Sequence, residues 1–136
     1  MKLIRAIFLT LIVLLVANCS TFKEVDMLGK DKTKWQAFTL SDSKVADSTK
    51  AYIVFDNGKI HGNAGCNSLI GSYETNDTGH LTIKAATTRM MCIDKNAMTT
   101  ENDFIKVINH TNYYMLDKGE LKLFDVGNQQ IATFKS

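Results

Sequence analysis

Three patterns of apolar and polar residues divide the chain. Residues 6–17 form a continuous apolar run that only Thr10 interrupts. From residue 34 onward, short segments alternate in polarity or are rich in β-branched and aromatic residues, which is typical of strands. Residues 100–109 instead place apolar side chains at helical spacing. The pattern therefore predicts a small, mainly β domain with one helix near Thr100.

Turn residues separate the predicted strands. Asn57-Gly58 lies between two apolar segments and predicts a type I′ hairpin, because both residues tolerate positive φ. Seven or eight short strands in antiparallel succession predict an α+β fold, with a strongly curved sheet or open barrel and one helix packed on it. The strands are predicted at residues 34–40, 51–55, 59–61, 69–73, 80–84, 113–116, 121–124 and 129–134.

The predicted helix begins with a capping signal. Thr100 can act as the N-cap, and Asp103 lies three residues on, as in a capping box. The apolar face then consists of Phe104, Ile105, Val107 and Ile108. Residues 85–92 fit neither periodicity, so no element is predicted there.

The apolar run near the N-terminus predicts a lipoprotein signal peptide. Lys2 and Arg5 precede the run, and Cys19 follows it directly. A bilayer-spanning helix needs about 20 apolar residues, so a retained transmembrane helix is the less favoured alternative. Plain secretion without lipidation stays open, because Asn18 replaces the small residue usual before a lipidated cysteine.

These features predict three segments: a signal peptide at residues 1–18, a lipidated tether at 19–32 and a domain at 33–136. The predicted location is the cell envelope, with the chain anchored in the membrane through a lipid on Cys19. Ser20, rather than Asp, follows that cysteine and favours the outer membrane, facing the periplasm.

Charge argues against a nucleic-acid partner. The precursor has 16 basic and 14 acidic residues, but Lys2 and Arg5 belong to the signal peptide, which holds no acid. The mature chain therefore has equal numbers of each, and its sequence shows no clustered basic stripe with interleaved aromatics.

The two remaining cysteines, Cys66 and Cys92, predict a disulfide in an oxidising compartment. Two neighbouring buried thiols are the alternative. A catalytic thiol is less favoured, because neither cysteine has an obvious base beside it in the sequence. The three histidines lack metal-ligand spacing, so no metal site and no cofactor are predicted.

Several short segments resemble the META domain family, which includes the HslJ-type lipoproteins of bacterial envelopes. The matching segments follow one another in order between His61 and Asp125, and Trp35 fits the Trp-containing strand with which that family opens. They are Gly65-Cys66-Asn67, Gly71-Ser72-Tyr73, Leu81-Thr82-Ile83, Thr87-Thr88-Arg89-Met90-Met91-Cys92, Glu101 with Phe104, and Leu121-Lys122-Leu123.

The resemblance implies a small β-rich envelope domain without enzymatic activity and with a stress-related role. It names no ligand. We therefore expect a non-catalytic lipoprotein that binds a protein or peptide partner; the alternative is a carrier of a small apolar ligand or lipid, held in a groove between helix and sheet.

Arg89, Met90 and Met91 are the candidate binding surface. If this segment is a strand, Met90 and Met91 point to opposite faces, so at least one of them is available to a ligand. Methionine adapts to variable apolar partners, and Arg89 suits a carboxylate or an anionic lipid. The competing interpretation, which is favoured over a binding surface, is core packing near the disulfide.

Overall fold

The structure is a computed structural model that describes residues 26–136. The predicted signal peptide, Cys19 and the first part of the tether lie outside these residues. The described elements are, in chain order, β1 Lys34–Leu40, β2 Ser43–Lys44, β3 Ala51–Asp56, β4 Lys59–Ala64, β5 Ser68–Thr75, β6 Leu81–Thr87, helix α1 Lys95–His110, β7 Tyr113–Asp117, β8 Glu120–Phe124 and β9 Gln130–Lys135.

All of these strands belong to one antiparallel sheet with the order β6-β5-β4-β3-β1-β9-β8-β7, and β2 pairs with β1. Tight turns set the register of the hairpins. Asn57 and Gly58 both have positive φ, 47° and 80°, which confirms the predicted turn between β3 and β4.

The sheet curls until its two outer strands meet at one point. The backbone N–H of Leu81 donates to the carbonyl of Asn112 at 2.8 Å, and that of Tyr114 donates to Gly79 at 2.9 Å. His80 and Tyr113 form the bridge between them. The two outer strands pair over only these few described residues, so the sheet is an open barrel. This confirms the predicted α+β fold class with a strongly curved sheet.

Helix α1 packs its apolar face onto the inner side of the curled sheet. Phe104 is fully buried, and its ring meets that of Phe134 edge to face at 5.6 Å between centroids. Val107 and Ile108 are also buried. These contacts join the helix to the core that the strands enclose.

The predicted helix start is wrong by one and a half turns. Asp94, not Thr100, is the N-cap, and its carboxylate accepts a hydrogen bond from the backbone N–H of Asn96 at 2.8 Å. Thr100 is buried inside the helix. The first turns expose Lys95, Asn96 and other side chains to solvent, so they carry no apolar stripe that a periodicity could reveal.

Part of the predicted tether packs against the barrel. Leu28 is buried in the core, and the Tyr73 hydroxyl donates a hydrogen bond to the carboxylate of Asp26. The same carboxylate accepts the backbone N–H of Leu28 at 3.1 Å and that of Gly29 at 3.0 Å. Burial and the bond to Asp26 raise the pKa of Tyr73 above its usual range.

Residues 85–92, for which no element was predicted, divide between the end of β6 and a loop. β6 continues to Thr87, and residues 88–94 form a loop that leads into α1. Within residues 26–136, no helix has the length and apolar character needed to cross a membrane.

Candidate functional site

The loop of residues 88–94, here called the methionine loop, presents large apolar side chains to solvent. Met91 is 95% exposed, Ile93 97% and Met90 64%. Arg89, beside them, is exposed as well. Burying such a side chain is favourable by about 1.5–3 kcal/mol of free energy. Three of them exposed on one short loop therefore form an apolar surface of the kind that suits binding to another surface.

The buried side chain of Asn67 holds the methionine loop from below. Its amide oxygen accepts hydrogen bonds from the backbone N–H of Met90 at 2.8 Å and from the hydroxyl of Thr88 at 3.1 Å. The backbone N–H of Thr88 donates to the carbonyl of Ser68, and the backbone N–H of Ser68 donates to the Thr88 hydroxyl, which adds to this attachment. The base of the loop therefore has fixed polar partners, while its apolar side chains remain free of the core.

Glu101 of α1 binds Asn67 from the other side. One carboxylate oxygen accepts the backbone N–H of Asn67 at 2.7 Å, and the other accepts its side-chain N–H at 2.9 Å. This pair of charge-assisted bonds ties the β4–β5 turn to the helix. Asn67 thus connects the turn, the helix and the methionine loop.

Gly65 lets the turn approach the helix closely. Its φ is +127°, which side chains rarely adopt, and a Cβ at this position would lie 2.9 Å from the carbonyl oxygen of Ala97. Both the backbone conformation and the close packing therefore favour glycine here. The close approach of the turn to the helix is what lets Asn67 bond to Glu101.

The structure brings Cys66 and Cys92 to disulfide distance, with their Cα atoms 6.1 Å apart. The pair joins the β4–β5 turn to the end of the methionine loop. The two sulfurs and a carboxylate oxygen of Glu101 lie within 4.8 Å of one another. Sulfurs bonded to each other are not thiolates, so in this state they are poor metal ligands.

The predicted binding residues are therefore adjacent and accessible, although the local structure differs from the expectation. The segment is a loop rather than a strand, so Met90 and Met91 do not lie on opposite faces of a sheet. Core packing of these two methionines, the competing interpretation, is wrong because both are exposed. Cys19, the predicted lipidation site, lies outside the described residues.

The sequence did not reveal the role of Asn67 or of Glu101. Each residue has an ordinary local use, Asn67 in a tight turn and Glu101 near a helix start. They are 34 positions apart, and no periodicity links them. The available signal was the resemblance itself: Gly65-Cys66-Asn67, Thr87 to Cys92, and Glu101 all converge on this site.

Comparisons with known proteins give a family and a fold. The family model described as "META domain" matches residues 27–136. No curated protein matches the chain significantly.

Three solved structures show a similar fold. One NMR structure is 24% identical over 76% of this chain and 88% of its own, with a TM-score of 0.60. An NMR structure of a protein from Burkholderia xenovorans is 20% identical over 78% and 83%, with a TM-score of 0.62. A crystal structure of a DUF4847 family protein from Bacteroides vulgatus is 20% identical over 62% and 57%, with a TM-score of 0.50.

These structural likenesses concern the fold alone, whereas the family match covers nearly all of the described residues. It begins one residue after Asp26, where the structure shows the chain already packed against the barrel. The chain therefore belongs to the META domain family.

Proposed function

We propose that this META domain protein is a non-catalytic, stress-related lipoprotein of the cell envelope that binds a protein or peptide partner through the methionine loop. The observation that carries the proposal is the near-complete exposure of Met91 and Ile93 on a loop whose base is fixed. A loop already held in place loses little conformational entropy on binding, so its apolar contacts contribute more fully to affinity.

The chemistry of the loop defines the surface that it fits. Met90, Met91 and Ile93 suit an apolar depression, and the flexible methionine side chains can adjust to its shape. Exposed Arg89 suits a carboxylate at the rim of that depression. The partner surface is thus apolar at its centre and acidic at its edge.

The hydrogen bonding beneath the loop supports a non-catalytic role. Asn67 and Glu101 are polar groups beneath the loop: Asn67 donates to the Glu101 carboxylate and accepts the backbone N–H of Met90. Groups used in this way fix the conformation of the loop. A catalytic acid or base instead needs a donor or acceptor atom within hydrogen-bond reach of a substrate.

The alternative, a carrier of an apolar ligand between helix and sheet, has no specific observation in its favour among residues 26–136. The apolar side chains of α1 pack directly on the sheet. The cavity between α1 and the β1–β2 hairpin measures about 220 Å³, and Thr99 and Asp103 contribute to its polar lining.

Anchoring through Cys19 is part of the proposal and has its own test. Cys19→Ala should abolish labelling by a radioactive fatty acid and should move the protein from the membrane fraction to the soluble fraction. Membrane retention without the label would mean that the apolar segment of residues 6–17, and not a lipid, holds the chain.

Partner binding is tested by native purification from mildly solubilised membranes. We expect the double variant Met91→Ser/Ile93→Ser to lose a stoichiometric partner, with affinity falling roughly hundredfold because two buried apolar contacts disappear. The melting temperature should stay unchanged, since both side chains lie in solvent.

Val126→Ser is the matched control, because Val126 is 82% exposed on the β8–β9 turn, outside the methionine loop. This control should keep the partner. Equal retention of the partner by the double variant and by the control would contradict the proposal.

A further inference from the structure

A second surface of the domain combines lysines with aromatic rings. It consists of Lys34, Phe38, Lys44, Lys50, Tyr52 and Lys135, here called the lysine face. The ammonium group of Lys135 lies 3.6 Å from the centre of the Phe38 ring, and that of Lys34 lies 4.0 Å from the centre of the Tyr52 ring. Lys135 comes from β9, and the other five residues are spaced between positions 34 and 52, so they form no continuous basic stripe in the sequence.

Phe38 lies on this face at a β-bulge. Ala37 pairs with Phe134 and Thr39 with Thr133, so Phe38 is the extra residue of β1. The carbonyl of Phe38 accepts the backbone N–H of Val45 at 2.9 Å, which fixes the bulge. The Phe38 ring is thereby held at the surface, with the ammonium groups of Lys135 and Lys44 at 3.6 Å and 5.7 Å from its centre.

A pocket of about 450 Å³ opens between β1 and the segment before β3, and both Lys34 and Lys50 line it. Thr49, which is 6% exposed, also lines the pocket, and its hydroxyl has no hydrogen-bond partner in the described part of the chain. A buried hydroxyl without a partner is costly, and it is compatible with a ligand that accepts hydrogen bonds.

The charge of the lysine face is only partly balanced. Lys44 lies 4.0 Å from Asp47 and Lys135 lies 3.8 Å from Glu120, and all of these side chains are at least partly accessible to water. Lys34 and Lys50 have no carboxylate within ion-pair distance among residues 26–136. The face therefore complements an anionic surface.

We propose that the lysine face docks on the phosphate groups of anionic phospholipids in the membrane to which the chain is anchored. Lysines provide the attraction, and Phe38 and Tyr52 suit the level of the headgroups, where aromatic rings are favoured. The inference rests on the proposed anchor at Cys19, which keeps β1, the first strand, near the bilayer. It is independent of partner binding by the methionine loop.

The test uses the protein purified with its native N-terminus and reconstituted into vesicles. One set contains phosphatidylcholine alone, and the other also contains phosphatidylglycerol. Acetylation rates of individual lysines, read by mass spectrometry, report which lysines the membrane protects. We expect slower acetylation of Lys44 and Lys135 only in the anionic vesicles, with protection that weakens as salt is raised.

The double variant Lys34→Gln/Lys50→Gln should remove this protection. Each lysine near an anionic surface raises the affinity for that surface roughly fivefold. Loss of two lysines should therefore weaken the association of the face with the membrane roughly 30-fold. Lys84→Gln/Lys95→Gln removes the same charge elsewhere and should keep the protection. All four side chains are exposed, so the variants should fold normally.

Three results would overturn the proposal: equal acetylation in both vesicle types, equal behaviour of the two double variants, or protection by inorganic phosphate added to phosphatidylcholine vesicles. The last result would identify a soluble anion as the ligand. Failure of the protein to remain with either type of vesicle would instead contradict the anchor at Cys19.

Discussion

At the scale of residues, Asn67 connects the parts of the site that the chain keeps far apart. Its amide oxygen bonds to Thr88 and Met90, while its two nitrogens donate to Glu101. Because the side chain is 4% exposed, these bonds form away from water, where an unsatisfied partner is expensive.

Replacing Asn67 by alanine should destabilise the domain by roughly 2–3 kcal/mol, because it removes the side-chain hydrogen bonds to Glu101, Thr88 and Met90 at a buried position. Urea denaturation measures the free energy of unfolding, and hydrogen exchange at the Met90 amide measures the mobility of the loop. Asn102→Ala, an exposed position on the same helix, should change neither quantity appreciably.

Tyr73 makes the stability of the domain sensitive to alkali. Its pKa is raised in the folded state by burial and by the hydrogen bond to Asp26, whereas in the unfolded chain it is about 10. Its neutral form is therefore favoured by folding. This contribution is complete below about pH 10 and is lost as pH rises from there toward the folded-state pKa.

Tyr73→Phe should lower stability by about 1–2 kcal/mol at neutral pH and should flatten the loss of stability above about pH 10. Urea denaturation across this pH range tests both effects. Tyr113→Phe, on exposed β7, should leave the alkaline slope unchanged. An identical alkaline slope in wild type and Tyr73→Phe would show that another group is responsible.

At the scale of elements, local patterns predicted the strands and hairpins well, because alternation and turn residues act over a few positions. β1 occupies the predicted residues 34–40, and the Asn57-Gly58 turn forms as expected. The start of α1 was not predictable from apolar periodicity. Its first turns project polar side chains into water, and the capping residue Asp94 resembles any other acidic loop residue.

The site is formed by elements that are distant from one another in the sequence, which explains why little of it could be predicted. Cys66 and Cys92 could be paired in advance because cysteines are few and their chemistry is specific. Asn67 and Glu101 could not be paired in advance, because either residue type has many ordinary uses. Only the packing of the turn against α1 brings them together.

The cysteine pair should stabilise the connection between the β4–β5 turn and the methionine loop. A separation of 26 residues corresponds to roughly 3–4 kcal/mol in the chain-entropy model. Cys66→Ser should therefore lower the melting temperature and leave Cys92 reactive toward a thiol reagent. Equal uptake of the reagent by native wild type under non-reducing conditions would show that the two cysteines are not bonded.

At the scale of the whole molecule, the barrel carries two surfaces of different chemistry. The methionine loop extends from the end of β6 and is apolar, whereas the lysine face lies on the outer side of β1, β3 and β9 and is basic. A lipoprotein that uses both would face the membrane with one surface and a partner with the other.

The measurement that tests the central claim most directly is site-specific photocrosslinking in living cells, with the photoreactive residue at position 91 or, as a control, at position 126. The account predicts one discrete crosslinked partner from position 91 and none from position 126, although both positions are exposed. Adding Asn67→Ala should reduce the yield, because the loop is then no longer held. Equal crosslinking from both positions, or none from position 91, would contradict the methionine loop as the partner-binding surface.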